Sequence, residues 1–600
     1  MKLMRFLLLL LSITMLSACN KDGTITQEIG QKPTIELDSQ TGIYTVKAGH
    51  ALTIAPTVHH AAQASYAWLL NGETVSHDAS YTATWPVAGE YYLTFSVQTA
   101  QGKAEEELKV EVAQLTPPVI SLIVPPNGLK AVAATDYILT PTIHHADLAE
   151  FKIEWLRDGL VVSRQRSYTF NQSQIGTYTL TINASNIDGQ SSREVSIEVV
   201  ERMPATVSFP TPSTTQIATD RYTVVHRTLC LKPLLAYFDQ PQFEWQVNGE
   251  VVDGATAQLF CFTPDAAGDY RISVVVREGA TPPQPLTREI TRAELTVKAD
   301  VTVHCVRASE AEMLRPRGAG SSSSQHKVYE WTPAPGQFIG EVAGLGGVAG
   351  NDALREAAHA WALQRLNARR FVSLGDFGGY LVVGFDHSIA RTDAPYDFTI
   401  EGNAFGNSSE PGIVYVMQDT NQNGLPDDEW YELKGCESGK AETRQEYAIT
   451  YFRPAGRGLP VAWIDSEGKT GEVAYLPELH PQDSYYPAWI GADSYTLRGT
   501  CLSSKNRQNP VTGFWEDEPF DWGYADNFGQ DRVTGGNSTD GSGQRNGFRI
   551  ANAIQLDGSA IALQYIDFVK VQTGVQATRG SLGEVSTEVF GFNDYAMRAN

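Results

Sequence analysis

Trp68-Leu69-Leu70-Asn71-Gly72 returns as Trp155-Leu156-Arg157-Asp158-Gly159 and again as Trp245-Gln246-Val247-Asn248-Gly249, at spacings of 87 and 90 residues. Asn-Gly or Asp-Gly just beyond a short apolar run signals a two-residue hairpin, because both turn positions need positive φ. Each copy then reaches a Gly-x-Tyr unit, Gly89/Tyr91, Gly176/Tyr178 and Gly268/Tyr270, placed 21, 21 and 23 residues from tryptophan to glycine. Pro56-Thr57-Val58-His59-His60 precedes the first tryptophan and Pro141-Thr142-Ile143-His144-His145 the second. One tryptophan for a central strand and one tyrosine for a strand corner, repeated at this length, predict three antiparallel two-sheet sandwiches.

These three copies resemble the immunoglobulin-like PKD-like repeats of bacterial surface proteins, over residues 33–115, 116–202 and 203–300. Neighbouring residues on a strand face opposite ways, so His59 and His60 do not converge on one metal, and the third copy has no such pair. In that copy Cys230 aligns with Thr53 and Cys261 with Thr82, positions expected on neighbouring strands. Counting cysteines does not fix pairing. The reading here is Cys230 with Cys261 and Cys436 with Cys501.

The 600 residues carry 46 Lys and Arg against 69 Asp and Glu, a formal net charge of −23, which argues against a nucleic-acid partner. At the N-terminus Lys2 and Arg5 precede an apolar stretch from Phe6 to Leu16, ending Leu16-Ser17-Ala18-Cys19. This is a secretory signal, too short to stay as a membrane-spanning helix. Leu-Ser-Ala-Cys resembles a bacterial lipobox, which implies cleavage before Cys19, lipidation of its thiol, and a tether over residues 20–32. Without an aspartate directly after Cys19, the resemblance favours the outer membrane.

Residues 301–327, with Gly318-Ala319-Gly320 and Ser321 to Ser324, read as a linker to a different module over residues 328–600. Leu354, Ala358, Trp361, Ala362 and Leu366 follow a helical period from Asp352 to Leu366. Strand-like runs dominate elsewhere, so the whole is mainly β, with a jelly-roll-like β-sandwich carrying one helix at the C-terminal end.

Asp419-Thr420-Asn421-Gln422-Asn423-Gly424-Leu425-Pro426-Asp427-Asp428 sets oxygen-bearing side chains at alternate positions before a glycine. Calcium takes many hard oxygen ligands, and glycine permits the sharp turn that lets Asp419, Asn421, Asn423 and the Leu425 carbonyl converge. The stretch resembles calcium loops that begin Asp-x-Asn-x-Asn-Gly, but Trp430 stands where an EF-hand has its bidentate glutamate. Asp427 or Asp428 supplies the missing carboxylate; the alternative is a plain polar hairpin.

Tyr485, Tyr486, Trp489, Tyr495, Phe514, Trp515, Phe520, Trp522 and Tyr524 are interleaved with Gly, Pro and polar residues. Tyr485, Tyr486, Trp489, Trp515, Trp522 and Tyr524, with Arg498, Asp526 and Asn527, form a candidate surface for a sugar ring or another flat, polar-edged ligand. The alternative is a satellite core for long loops. Glu516, Asp517, Glu518 and Asp521 could serve a glycoside hydrolase, whereas metalloprotease, serine-esterase and phosphate-loop motifs are absent. Binding rather than catalysis is the reading.

Together, the lipobox, the repeats and segments such as Phe371-Val372-Ser373-Leu374-Gly375, Asp427 through Leu433, Phe520 through Asn527 and Gly583 through Glu588 resemble the PKD-containing cell-surface lipoproteins of Bacteroidetes. The resemblance implies a lipid-anchored outer-membrane protein exposed at the surface that captures a glycan or a corrinoid, with a TonB-dependent transporter as partner. Adhesion through the repeats is the other non-enzymatic reading.

Overall fold

The Asn-Gly and Asp-Gly turns fold as their chemistry requires: Asn71, Asp158 and Asn248 have φ of 52°, 52° and 53°, each followed by a positive-φ glycine. The computed structural model describes residues 30–211, 220–279, 295–306, 310–339, 352–478, 480–533 and 544–597. Cys19 lies outside them. The first sandwich forms one compact unit; the second, third and C-terminal module form another.

Each sandwich has a five-stranded sheet faced by two-stranded pairs. In every copy the tryptophan is fully buried, and its indole N–H donates to a backbone carbonyl: Trp68 to Asp78, Trp155 to Gln165, Trp245 to Ala257, at 3.0, 2.9 and 2.8 Å. Tyr91, Tyr178 and Tyr270 donate their hydroxyls to the carbonyls of Val87, Gln174 and Ala266, four residues back, at 2.9, 2.9 and 2.8 Å. This is the corner that the Gly-x-Tyr spacing predicts. The sheet also opens with a strand parallel to its last one: Ile43–Lys47 beside Gly102–Ala113, Leu129–Val132 beside Gly189–Val200, and Arg221–Val224 beside Thr296–Val306.

In each histidine pair the first residue, His59 or His144, ends a strand and the second begins a turn. His60 and His145 have φ of 57° and 59°, and Tyr237, the matching position of the third copy, has 61°. Cys230 and Cys261 are bonded, S–S 1.98 Å, and are register partners. The same two positions of the first copy, Thr53 and Thr82, share a hydroxyl hydrogen bond of 2.8 Å. Cys436 and Cys501 do not pair; both are free thiols. They belong to separate apolar clusters, and Arg444 Nη2 donates to the buried Cys501 Sγ at 3.0 Å.

The segment read as a linker is structured. The third sandwich's last strand runs on to Val306, and Glu310–Met313 is a short helix. Arg315 then pairs with buried Asp567 at 2.9 Å, Arg317 with buried Asp594 at 3.2 Å, and Ser322 N–H donates to Asp386 at 2.9 Å. Burying those aspartates without a cation would cost several kcal/mol each, which holds the strap against the module.

In the module, a six-stranded sheet runs in the order Lys327–Thr332, Tyr380–Ala390, Tyr565–Thr573, Gly412–Met417, Tyr431–Leu433, Ala553–Ile554. Leu381, Val383, Val569, Val571, Val414 and Val416 face one apolar cluster, shared with Phe398, Ile400, Phe548 and Phe592 of a four-stranded sheet and with Ala358, Ala362 and Leu366 of the Asp352–Asn367 helix. Tyr380 and Val382 face a second cluster, with Tyr447, Ile449, Tyr451, Val461 and Leu497 of another four-stranded sheet. The central strands are therefore apolar on both sides, which is why they read as continuous apolar runs. The β-sandwich has two apolar interfaces where a two-sheet jelly roll has one.

Candidate functional site

The aromatic stretch is interior. Tyr485, Tyr486 and Trp489 are 1%, 3% and 2% exposed and belong to the two main apolar clusters. Tyr524 is buried, and its hydroxyl accepts from Glu437 N–H at 3.1 Å. Asp526 and Asn527 are buried too; the Asn527 side chain bonds the N–H and C=O of Phe520 at 2.9 and 2.8 Å. These residues pack in the main cores and, for Tyr524, in a smaller cluster beside them, so ring area and amide groups are already used. Trp515 and Trp522 are half-buried.

Asp526 instead joins Glu410 and Glu588 in a group whose carboxylate oxygens lie within 4.8 Å of one another, all three buried. Asp526 accepts from the N–H groups of Asn403, Ala404 and Glu588, each at 2.9 Å. Glu410 takes a close ion pair from Arg579, and Glu410 and Glu588 are hydrogen-bonded to each other. Burial, and then mutual repulsion, raises the affinity of Asp526 and Glu588 for protons. The group is held together by shared protons. Burial likewise pushes Asp376, Glu432 and Glu584 each up to about 7. A carboxyl raised in the folded state adds stability that is complete below its unfolded value near 4 and is lost as pH climbs through its folded value. Melting temperature is therefore expected to fall from pH 5 to pH 8, by about 5 °C or more for a few kcal/mol, as scanning calorimetry would read; a rise over that window would contradict this account.

The Asp419 loop is closed by hydrogen bonds among its own residues. Asn423 and Gly424 N–H groups donate to the two Asp419 oxygens, both at 3.0 Å, with Gly424 at φ 75°. The side-chain amides of Asn421 and Asn423 donate to Asp427 at 3.0 and 2.8 Å, and Leu425 N–H donates to Asn423 at 2.7 Å. Asp428 accepts from Thr420 N–H at 2.8 Å through Oδ2. Its Oδ1 is buried with no partner among the described residues, and the side chain is 1% exposed. Burial, with repulsion from Asp427 and Asp419, pushes Asp428 up to about 8. An orphaned carboxylate oxygen in the field of two further carboxylates has the charge that a hard divalent cation would offset.

Directly after this loop, residues 429–432 form one wall of a crevice of about 210 Å³ whose other wall is the third sandwich. Arg221 of that sandwich is buried against Glu429 at 3.3 Å, and Lys232 pairs closely with Glu446. Arg227 reaches Gln418 at 2.9 Å, and Gln555 donates to the Thr228 carbonyl at 3.0 Å. Across the six-stranded sheet one row of register partners runs Glu330, Val382, Lys570, Tyr415, Glu432. The Lys570 ammonium sits 4.3 Å from the Tyr415 ring and 5.1 Å from that of Trp430. Arg498, alone of the residues proposed from sequence as ligand contacts, lines this crevice, donating to the Glu446 carbonyl at 2.7 Å. Sequence reasoning missed the rest because the walls come from segments some 200 residues apart.

Residues 32–99 and 117–186 match the PKD-like domain family. The first two sandwiches are PKD-like domains. The third sandwich, outside the matched residues, repeats their strand order, tryptophan and tyrosine corner. No curated protein matches the chain. Among solved structures, the titin I-band fragment I67–I69 is 11% identical, covering 46% of this chain and 98% of its own, with a TM-score of 0.20. Fibronectin(III)-like modules of Clostridium thermocellum CbhA are 20% identical over 28% of this chain and 97% of their own, TM-score 0.16. Three N-terminal domains of the bacteriophage RB49 outer capsid protein Hoc are 14% identical over 46% and 100%, TM-score 0.21. These likenesses carry no functional argument.

Proposed function

We propose that the chain is an outer-membrane, surface-exposed lipoprotein, anchored through Cys19, whose PKD-like domains carry a non-enzymatic capture module for a nutrient ligand. The crevice beside Lys570 is the observation that supports capture. It is concave, walled by aromatic and charged side chains, and lies next to a loop suited to calcium. In this reading the ligand is a glycan, and a TonB-dependent transporter takes it onward. A corrinoid is too bulky for 210 Å³; the hollow of about 1500 Å³ between the second PKD-like domain and the module has the volume for one. Among the described residues no helix is long and apolar enough to cross a membrane, so attachment rests on the lipid. Calorimetry of the full mature chain against glycans and cobamides, with product analysis of the same samples, tests the reading. Binding without turnover supports it, turnover favours a hydrolase, and silence with cell binding by the PKD-like domains favours adhesion.

Asp419, Asn421, Asn423, the Leu425 carbonyl, Asp427 and Asp428 would hold one calcium ion, in a structural role. When bound, the ion supplies the positive charge that the Asp428 oxygen lacks. Chelator is expected to lower the melting temperature, by the equivalent of about 2.7 kcal/mol if calcium stands at a hundred times its Kd. Asp419→Ala should reproduce the chelator effect. Asp428→Asn should remove the calcium response while melting no lower than the chelated protein, since an amide replaces a carboxyl that burial already pushes up to about 8. A calcium response that survives Asp428→Asn would place the ion elsewhere.

A further inference from the structure

Four carboxylates, Asp428, Glu429, Glu432 and Glu446, line the crevice, yet its basic side chains are not all paired with them. Four basic side chains line it: Arg221, Lys232, Arg498 and Lys570. Glu429 takes Arg221 and Glu446 takes Lys232. Glu432 is occupied by the Thr500 hydroxyl, and burial pushes it up to about 7, so it is partly protonated at neutral pH. Lys570 has no carboxylate within ion-pair distance among the described residues; its surroundings are the rings of Tyr415 and Trp430. Rings stabilise a cation by about 0.5–2 kcal/mol, which does not replace lost hydration. Burial accordingly lowers the ammonium to about 8, despite the field of Glu330, Glu432 and Glu429.

We propose, resting on the capture reading, that the ligand is an acidic sugar, its carboxylate seated on Lys570 and its ring in the space beside Trp430. The volume fits: about 210 Å³ is room enough for one sugar ring. Charge supplies the selectivity. A chain of net charge −23 repels anions at long range, so acid recognition here comes from local pairing in a site shielded from water. Trp430 offers a ring face to the apolar side of the sugar, and Arg498 a second cation near the opposite end. Thr211, Gln445 and Leu556 are exposed at the rim, so the site is reached from solvent.

The test is calorimetry of the full chain with galacturonate, its methyl ester and galactose. Galacturonate is expected to bind at least tenfold tighter than the uncharged pair, and Lys570→Met, which keeps the stem beneath the rings, should abolish that preference without lowering the melting temperature. Should Lys570→Met fail to fold, the ester comparison still reads the charge requirement on the native protein, and galacturonate should shield Lys570 from acetylation by an N-hydroxysuccinimide ester. Equal affinity for acid and ester, or acetylation of Lys570 unaffected by galacturonate, overturns the assignment. Binding of neutral glycans or cobamides alone overturns it while leaving the capture reading standing; no binding of any ligand removes both.

Discussion

Trp245→Ala should cost the third sandwich about 3–5 kcal/mol, the range for deleting a buried aromatic from a core that relaxes only in part. The indole is fully buried, stacked 4.9 Å from Phe260 and tilted 6.1 Å from Phe209. Its removal also strips the Ala257 carbonyl of its donor, a further loss of roughly 1 kcal/mol. For a domain of this size the low-temperature transition in scanning calorimetry should move down by about 15 °C or more. Trp245→Phe should recover part of the loss, since it refills volume without the N–H. Because Phe209, Arg221 and Lys232 wall the crevice, ligand affinity should fall with the domain. A shift under about 3 °C would mean that the tryptophan does not hold the sandwich together.

Arg221→Leu is the second large effect, expected at about 3 kcal/mol. Arg221 is 6% exposed, pairs with Glu429 across the crevice, and donates to the carbonyls of Pro210 and Asp220. Removing the guanidinium leaves Glu429 in a site that already raises its affinity for protons by burial, and an uncompensated buried charge costs far more than an intact pair contributes. The double variant Arg221→Leu with Glu429→Gln should therefore be more stable than Arg221→Leu alone. If the two changes simply add, the pair does not couple the third domain to the module. Equilibrium denaturation of the four chains measures that coupling.

The sequence was legible where a local rule decides the outcome. The hairpin turns, the buried tryptophans, the tyrosine corners and the Asp352–Asn367 helix each follow from residues close in the chain, and the Thr53-to-Cys230 alignment placed one disulfide. It was illegible where the decision is made by distant partners. Nothing within the Tyr485 to Tyr524 stretch tells which side of a loop meets the core, so rings that fill the interior read as a ligand surface. Glu410, Asp526 and Glu588 come from three remote segments with no spacing to link them. The crevice needs two domains. Cys436 and Cys501 show the same limit, since a count of thiols holds no distances.

The parallel pairing of the second and last strands in each sandwich has a mechanical meaning. When the two ends of a sandwich are pulled apart, the short antiparallel first strand takes the load before the second strand is drawn lengthwise past the last one. Their ladder bonds, such as those joining Tyr44 to Val110 or Tyr222 to His304 in register, then bear the load together instead of opening one at a time like a zip. A sandwich with this pairing resists being stretched and gives way by sudden rupture of that ladder.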